Sequence, residues 1–238
     1  MFATLKLLFV YTALGPLTGI WGIPYTLLVG DISLLYRVAM WITNAGVRAA
    51  GIRIEVTGLE NVPKGRPCIF MSNHVSNLDP PVELPMLPGR CSVMLKKELM
   101  NIPILGRAMQ LGDFIPVERG GKRDAAQASV VAAGEVLKKG VNILVYPEGT
   151  RSRDGRLQAF KKGPFYLAME TQATVVPVAV SGTEKMMRKG SAAITPGVAK
   201  VQLLPAIEPS RYESREDLLR AVREAIAEAL PDKMKPLD

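Results

Sequence analysis

Beyond residue 50, the chain alternates short apolar runs with longer stretches whose apolar residues recur at helical spacing. The short runs predict strands at residues 52–56, 68–72, 91–95, 113–117, 141–146, 175–180 and 200–204. The longer stretches predict helices at residues 80–87, 99–110, 122–139, 163–170 and 213–230. Strands that alternate with helices are typical of α/β proteins, so we predict a mixed, largely parallel sheet flanked by helices.

The first fifty residues have a different pattern. No charged residue occurs from Leu7 to Gly30, a length sufficient for a helix to cross a bilayer core of about 30 Å. Several glycines and prolines interrupt this stretch, so a broken, re-entrant or interfacial helix pair explains it as well as one straight crossing. Residues 31–50 continue with amphipathic character. We therefore assign membrane-docking helices to residues 1–50 and an α/β domain to residues 51–238.

Two other interpretations of the N-terminal segment compete with this one. Lys6 and the apolar residues 7–15 resemble the start of a secretory signal, but a second apolar segment follows without a polar linker. A hydrophobic hairpin packed on its own domain is the second alternative. A membrane anchor explains the pattern better, and it would hold a basic domain at the cytoplasmic face of a membrane, which we take to be a bacterial inner membrane.

Composition narrows the expected partners. The net charge of +8 indicates an anionic partner such as a phosphorylated metabolite or acidic lipid headgroups. Nucleic acid is not expected, because aromatic residues make up only 6% of the chain and no nucleic-acid-binding motif is present. Cys68 and Cys91 lie in apolar runs and are interpreted as buried reduced thiols. No metal site is expected, since one histidine and no clustered carboxylates leave few ligands.

The single histidine, His74, is the candidate for acid-base chemistry. Asp79 follows it at a spacing of five, and residues five apart on a helix are turned by roughly 140°, so the two can meet only across a non-helical turn. Histidine is the usual general base near pH 7, and a carboxylate usually orients it. On spacing alone, a helix that starts at Asp79 before Pro80 is an equally good explanation. The preceding strand places the pair at a carboxyl end, where open α/β sheets keep their sites.

A second cluster also follows a predicted strand. Residues 141–146 run directly toward Glu148, Gly149, Thr150 and Arg151. A glycine lets a ligand approach the backbone, a threonine hydroxyl donates a hydrogen bond, and a guanidinium binds phosphate with paired donors. Taken alone, this tetrapeptide is only weakly diagnostic, and the alternative is a surface turn that carries a solvated arginine.

Four blocks, in their order along the chain, resemble the 1-acylglycerol-3-phosphate acyltransferase family of glycerolipid acyltransferases. They are residues 73–79 (NHVSNLD), 112–119 (GDFIPVER), 148–151 (EGTR) and 176–178 (VPV). The resemblance covers about residues 50–205, and the ordered set is far more specific than any one block. Pro116 departs from the family's pattern, which leaves the register of that strand open.

This resemblance implies transfer of a fatty acyl group to the sn-2 hydroxyl of lysophosphatidate, which makes phosphatidate for phospholipid biosynthesis. The donor would be a thioester, acyl-CoA or acyl carrier protein, and no cofactor is expected beside it. We assign His74 as general base and Asp79 as the residue that orients it. The resemblance also implies an N-terminal helix pair that docks on the bilayer. The residues expected to hold the acceptor's phosphate are Lys96, Arg119, Glu148, Gly149, Thr150 and Arg151.

Within that set, Glu148 has a different expected role. A carboxylate cannot itself favour a phosphate, so we expect Glu148 to order Arg119, Arg151 or a glycerol hydroxyl. The Lys161 and Lys162 pair could meet a phosphate, although exposed lysines are usually only solvated.

Three other functions compete with this assignment. The acceptor could be another lysolipid or glycerol 3-phosphate, since the two arginines do not measure its size. The chain could be a catalytically idle membrane-binding module, although such a module would need neither His74 nor Asp79. A hydrolase that uses Ser72 or Ser76 as nucleophile is disfavoured by the absence of a Gly-x-Ser-x-Gly elbow.

Overall fold

The computed structural model describes residues 2–117, 123–188 and 190–237, apart from the side chains of Leu17 and residues 123–126. The helices in these ranges are α1 (Phe2–Leu17), α2 (Ile23–Val29), α3 (Ser33–Ala49), α4 (Asp79–Glu83), α5 (Leu105–Leu111), α6 (Arg123–Lys138), α7 (Gly163–Thr171), α8 (Thr183–Met186) and α9 (Arg215–Ala229). The strands are β1 (Ile52–Thr57), β2 (Ile69–Ser72), β3 (Cys91–Lys96), β4 (Ile115–Val117), β5 (Asn142–Val145), β6 (Val175–Ser181) and β7 (Gly197–Leu203).

The strands form one seven-stranded sheet in the order β1-β7-β6-β2-β5-β3-β4. From β6 to β4 all neighbours are parallel, whereas β7 pairs antiparallel with β6 and parallel with β1. The prediction of a mixed, largely parallel sheet is therefore confirmed. Parallel pairing brings the carboxyl ends of β2, β5 and β3 to the same edge, so the loops that follow them can form one site.

Helices cover both faces of the sheet because successive strand side chains point in opposite directions. Cys68 and Phe70 belong to a core that includes residues of α1, α3 and α4. Ile69 and Met71 belong to a second core, built with α6, α7 and α9. Both cysteines are buried free thiols, as the apolar runs predict, and burial raises the pKa of Cys68 to about 12.

The strand that contains Pro116 has an unambiguous register. β4 lies at the edge of the sheet, where Pro116 is opposite Leu95 of β3. An edge strand tolerates a residue without a backbone N–H because one of its sides has no strand partner to receive it. The departure from the family's pattern therefore leaves the pairing of β3 and β4 intact.

The predicted helix at residues 99–110 is wrong in its first half. A 3₁₀ turn covers Lys97–Asn101, and α5 begins only at Leu105. Pro103 disfavours the helical conformation at the residue before it, and Ile104 has a positive φ of 64°. The apolar spacing that predicts one long helix thus belongs to two short elements joined by a tight turn.

The N-terminal helices form an antiparallel pair with two different sides. A π turn at Thr18–Gly22 joins α1 and α2 into one helix from Phe2 to Val29. This helix is long and apolar enough to cross a membrane, a property that core helices of soluble proteins and signal sequences share. On the inner side, Ala3 and Leu7 pack in the core with Val47 of α3. The inner side of the pair therefore has the packing expected of a hydrophobic hairpin on its own domain, one of the two alternatives that the sequence allowed.

The outer side of this pair is apolar and exposed. Large exposed side chains include Phe2, Phe9, Trp21, Leu28 and Trp41. Soluble monomers rarely expose so many large apolar groups together, and such patches mark protein or membrane contacts. The N-terminal segment therefore suggests association with a membrane.

Candidate active site

The loop after β2 places His74 beside Asp79, the first residue of α4. Nδ1 of His74 lies 2.8 Å from Oδ2 of Asp79. The Asp79 side chain is fully buried, whereas 12% of the His74 side chain is exposed. The pair therefore meets across a non-helical turn, the only arrangement that the spacing of five allows. With Nδ1 bound to Asp79, Nε2 is the ring nitrogen left to exchange a proton with a substrate.

The Asp79 carboxylate accepts several hydrogen bonds that hold this loop in place. Oδ2 accepts the backbone N–H groups of Val75 and Ser76, each at 2.8 Å, in addition to the His74 contact. Oδ1 accepts the Thr183 hydroxyl at 2.6 Å. The helix does begin at Asp79, but the carboxylate binds the loop and does not cap α4. The two interpretations of the sequence, a helix start and a partner for His74, are thus both true of this residue.

Thr183 is a site residue that the sequence analysis missed. It is fully buried and lies 104 positions from Asp79 in the chain. The turn before it depends on Gly182, which has a φ of 98° and whose Cβ, if present, would lie 2.2 Å from the Val198 carbonyl oxygen. Only glycine fits there. The 176–178 block is the sequence signal closest to Thr183, because it lies in β6 and the turn with Gly182 and Thr183 follows that strand.

Glu148 connects the loop after β5, in which it lies, to the loop after β2, which contains His74. Its Oε1 accepts the backbone N–H of His74 at 2.6 Å, and its Oε2 accepts that of Gln158 at 3.1 Å. The His74 carbonyl in turn accepts the Ser152 N–H at 2.8 Å. These backbone contacts are additional to the expected role of ordering Arg119, Arg151 or a substrate hydroxyl, which stays a prediction. Fixed N–H groups satisfy a buried carboxyl well, so Glu148 holds the backbone of the histidine loop.

The environment of Glu148 predicts a pH dependence of stability. Burial raises the pKa of Glu148 to about 7, although the two N–H bonds oppose this shift. The folded protein therefore holds this proton more tightly than the unfolded chain does, so the stabilisation is complete below pH 4.5, the ordinary value, and is lost by about pH 7. The shift in the pKa of Glu148 between the unfolded and folded states corresponds to about 3 kcal/mol in the free energy of unfolding.

Chemical unfolding in detergent micelles from pH 4 to 8 would measure this effect against Glu148→Gln. The wild type should lose stability relative to the variant as the pH rises, because glutamine does not titrate. Parallel pH curves for the two proteins would contradict the assignment.

The other predicted phosphate-binding residues lie in different settings. Gly149 has a φ of 69°, Thr150 is exposed and Arg151 is partly buried, all in the loop after β5. Lys96 is the last residue of β3, at the same edge of the sheet, and its side chain is half-exposed. Its Nζ lies 3.1 Å from Oε1 of Glu98. Arg119 lies outside the described residues.

The two lysines of the 160–163 segment have separate environments. Lys162 forms an ion pair with Glu216 at 2.8 Å. The Lys161 side chain lies against Gly149, since a Cβ on that glycine would meet its Nζ at 2.9 Å. Lys161 is therefore a cation beside the 148–151 loop, which the sequence alone did not distinguish from its neighbour. Within the described ranges, no group of three or more His, Cys, Asp or Glu side chains could hold a metal ion.

Comparison with known proteins assigns the family. The family described as Acyltransferase matches residues 53–181, which is more than half of the chain. The chain belongs to this acyltransferase family. The matched region contains His74, Asp79 and the 148–151 loop, and Thr183 follows just beyond it.

Individual relatives and a solved structure extend the comparison. A 1-acyl-sn-glycerol-3-phosphate acyltransferase of Limnanthes douglasii is 32% identical over 189 residues, covering 79% of this chain and 66% of that protein. The human alpha form is 35% identical over 157 residues, 66% of this chain and 56% of that protein. The crystal structure of the 1-acyl-sn-glycerophosphate (LPA) acyltransferase PlsC from Thermotoga maritima matches with a TM-score of 0.83 and 27% identity, covering 95% of this chain and 92% of that one.

These matches differ in extent. The aligned region spans less than two thirds of the length of both curated relatives. The structural match extends over nearly the whole of each chain. This acyltransferase therefore shares with PlsC the mixed, largely parallel sheet flanked by helices.

Proposed function

We propose that this acyltransferase transfers a fatty acyl group from an acyl thioester to the sn-2 hydroxyl of lysophosphatidate and so forms phosphatidate. The observation that carries the proposal is the buried Asp79 carboxylate, bonded to Nδ1 of the single histidine at the carboxyl edge of the sheet. The relatives named 1-acyl-sn-glycerol-3-phosphate acyltransferase support the choice of acceptor.

In the proposed mechanism, His74 acts as general base. An alcohol is too weak a nucleophile at neutral pH, so Nε2 takes the hydroxyl proton as the oxygen attacks the thioester carbonyl, an effect of about 10²- to 10⁴-fold. Asp79 holds the productive tautomer and stabilises the imidazolium. The tetrahedral intermediate collapses, the C–S bond breaks, and the imidazolium returns its proton to the leaving thiolate. Protons balance, and no acyl-enzyme is needed.

We place the acceptor's phosphate at the loop that contains Gly149, Thr150 and Arg151, with Lys96 and Arg119 as further cations. A guanidinium can bind phosphate oxygens with two parallel hydrogen bonds, and a threonine hydroxyl adds a donor. Lys161 joins this set because its side chain lies against Gly149. Glu148 contributes indirectly, through the backbone of His74.

We also propose that residues 1–50 hold the α/β domain, residues 51–238, at the cytoplasmic face of a membrane. Lysophosphatidate is a lipid, so its acyltransferase must work where lipids are. The exposed apolar side of α1, α2 and α3 provides a surface for a bilayer. The net charge of +8 would favour acidic headgroups.

Acyl transfer by the detergent-purified protein tests the proposal. Long-chain acyl-CoA and acyl-(acyl carrier protein) are each incubated with lysophosphatidate, with lysophosphatidylcholine, with glycerol 3-phosphate or without acceptor, and the lipid products are separated. We expect phosphatidate, formed only with lysophosphatidate. Free fatty acid without acceptor would indicate a hydrolase, and product with another acceptor alone would reassign the substrate. Inactivity with every combination would favour the idle membrane-binding module.

A further inference from the structure

Two residues have no part in the mechanism described so far: the partly buried Tyr146, beside the imidazole, and the fully buried Glu83, beside Tyr146. The Tyr146 ring, just after β5, is stacked on the His74 ring, with centroids 4.2 Å apart and an interplanar angle of 23°. The Tyr146 hydroxyl donates to Oε1 of Glu83 at 3.1 Å. A line of contacts thus runs from the last residue of α4 through an aromatic ring to the catalytic imidazole.

Glu83 is a carboxyl group without any exposure to solvent. Burial raises its pKa well above the ordinary value, and the nearby Asp79 carboxylate raises it further, whereas the hydroxyls of Ser72 and Tyr146 oppose the shift. A buried charge without a countercharge is very unfavourable, so burial favours the neutral acid at this position. Its Oε2 has no hydrogen bond of ordinary geometry among the described residues. The well-defined bond of Glu83 is therefore the one to Tyr146.

We propose that Tyr146 and Glu83 form a positioning pair for His74, an inference that rests on the proposed role of His74 as general base. Asp79 fixes the imidazole within the plane of its ring, through Nδ1. Tyr146 closes one face of that ring and so limits rotation out of the plane. Glu83 anchors the Tyr146 hydroxyl and thereby keeps the aromatic ring in place.

The other contacts of His74 fix its backbone, so the pair of Tyr146 and Glu83 contributes to the orientation of its side chain. Glu148 and Ser152 bind its backbone N–H and carbonyl, so they fix the main chain and leave the side chain to Asp79 and Tyr146. A misplacement of about 1 Å between reacting groups can cost about 10²-fold in rate. The electron-rich face of Tyr146 also favours the imidazolium that forms when His74 takes up the proton.

Two substitutions at position 146 separate the ring from its hydroxyl. Tyr146→Phe keeps the stacked ring and should lower kcat only about twofold to fivefold, whereas Tyr146→Leu removes the aromatic face and should lower it about 10- to 100-fold. The KM for lysophosphatidate should stay within about twofold, since Tyr146 acts on the base and not on the substrate. Tyr166→Leu, on α7, is the matched control and should retain wild-type kcat.

Position 83 offers a test of the anchor. Glu83→Leu should lower kcat, and Glu83→Gln should restore most of it, because an amide oxygen accepts the Tyr146 hydroxyl without a charge. A merely structural pair would lower thermal stability without this pattern. Wild-type kcat in Tyr146→Leu, or an effect confined to KM, would overturn the proposal.

A spectroscopic measurement tests the pair independently of activity. Because His74 is the only histidine, selective labelling gives the NMR signals of one imidazole. The stacked Tyr146 ring should shield those ring protons, so their signals should lie upfield in the wild type and in Tyr146→Phe but not in Tyr146→Leu. Identical positions in all three proteins would overturn the pair. If the wild type made no phosphatidate, the proposed function would fail, and this shift would still decide whether the stacking exists.

Discussion

His74→Ala should lower the rate of phosphatidate formation by about 10²- to 10⁴-fold. The imidazole bonded to Asp79 is the only one in the chain, so no other histidine can replace it. The vesicle binding of the variant should be unchanged, because its N-terminal helices are intact. The measurement is steady-state transfer from labelled acyl-CoA to lysophosphatidate in mixed micelles.

Two controls sharpen this comparison. Added imidazole should restore part of the lost rate, since the vacated site would admit a small base. Gln127→Ala, an exposed substitution on α6, should leave the rate at its wild-type value. A His74→Ala rate near that of the wild type would contradict the assignment of the base.

Asp79→Asn should lower kcat by about 10²- to 10⁴-fold while the fold persists. Asparagine has nearly the same shape and can still accept the Val75 and Ser76 N–H groups. It removes the negative charge that stabilises the imidazolium, while an amide oxygen in the place of Oδ2 still accepts the Nδ1–H of His74. The effect therefore belongs in kcat and not in the KM for the lipid.

The matched control is Asp232→Asn, which changes an exposed carboxylate near the C-terminus. It should leave both kinetic constants as they are. If Asp79→Asn kept wild-type kcat, the buried carboxylate would have only a structural role. The thermal midpoint of each variant, measured in the same detergent, separates a catalytic defect from unfolding.

Local patterns predict the part of this site that depends on neighbouring positions. The apolar run before His74 predicts β2, and the spacing of five predicts that His74 and Asp79 can meet only across a turn; the strand is present and the contact crosses a turn. The 148–151 block follows β5, which pairs with β2, so the two loops lie at one edge. These features follow from strand periodicity and from the geometry of parallel sheets.

Long-range contacts explain what the sequence could not show. Thr183 reaches Asp79 from 104 positions away, and Tyr146 meets Glu83 from 63 positions away. Neither residue stands at a spacing that predicts its partner, because the sheet order brings the elements together. Glu148 illustrates the same limit, since side-chain chemistry suggested a cationic or substrate partner and did not indicate the two backbone N–H groups that its carboxyl accepts.

The role of His74 as general base can be tested by comparing the pH dependence of the reaction with proton uptake by the imidazole. The pH dependence of kcat/KM for lysophosphatidate reports the ionisation that the free enzyme needs, and NMR of the single labelled histidine reports proton uptake by His74. Glu148→Gln provides a background in which the carboxyl that titrates near pH 7 is absent. We predict that the acidic limb of the rate profile coincides with protonation of His74 in both backgrounds. Transfer that continues unchanged after His74 is fully protonated would contradict its role as general base.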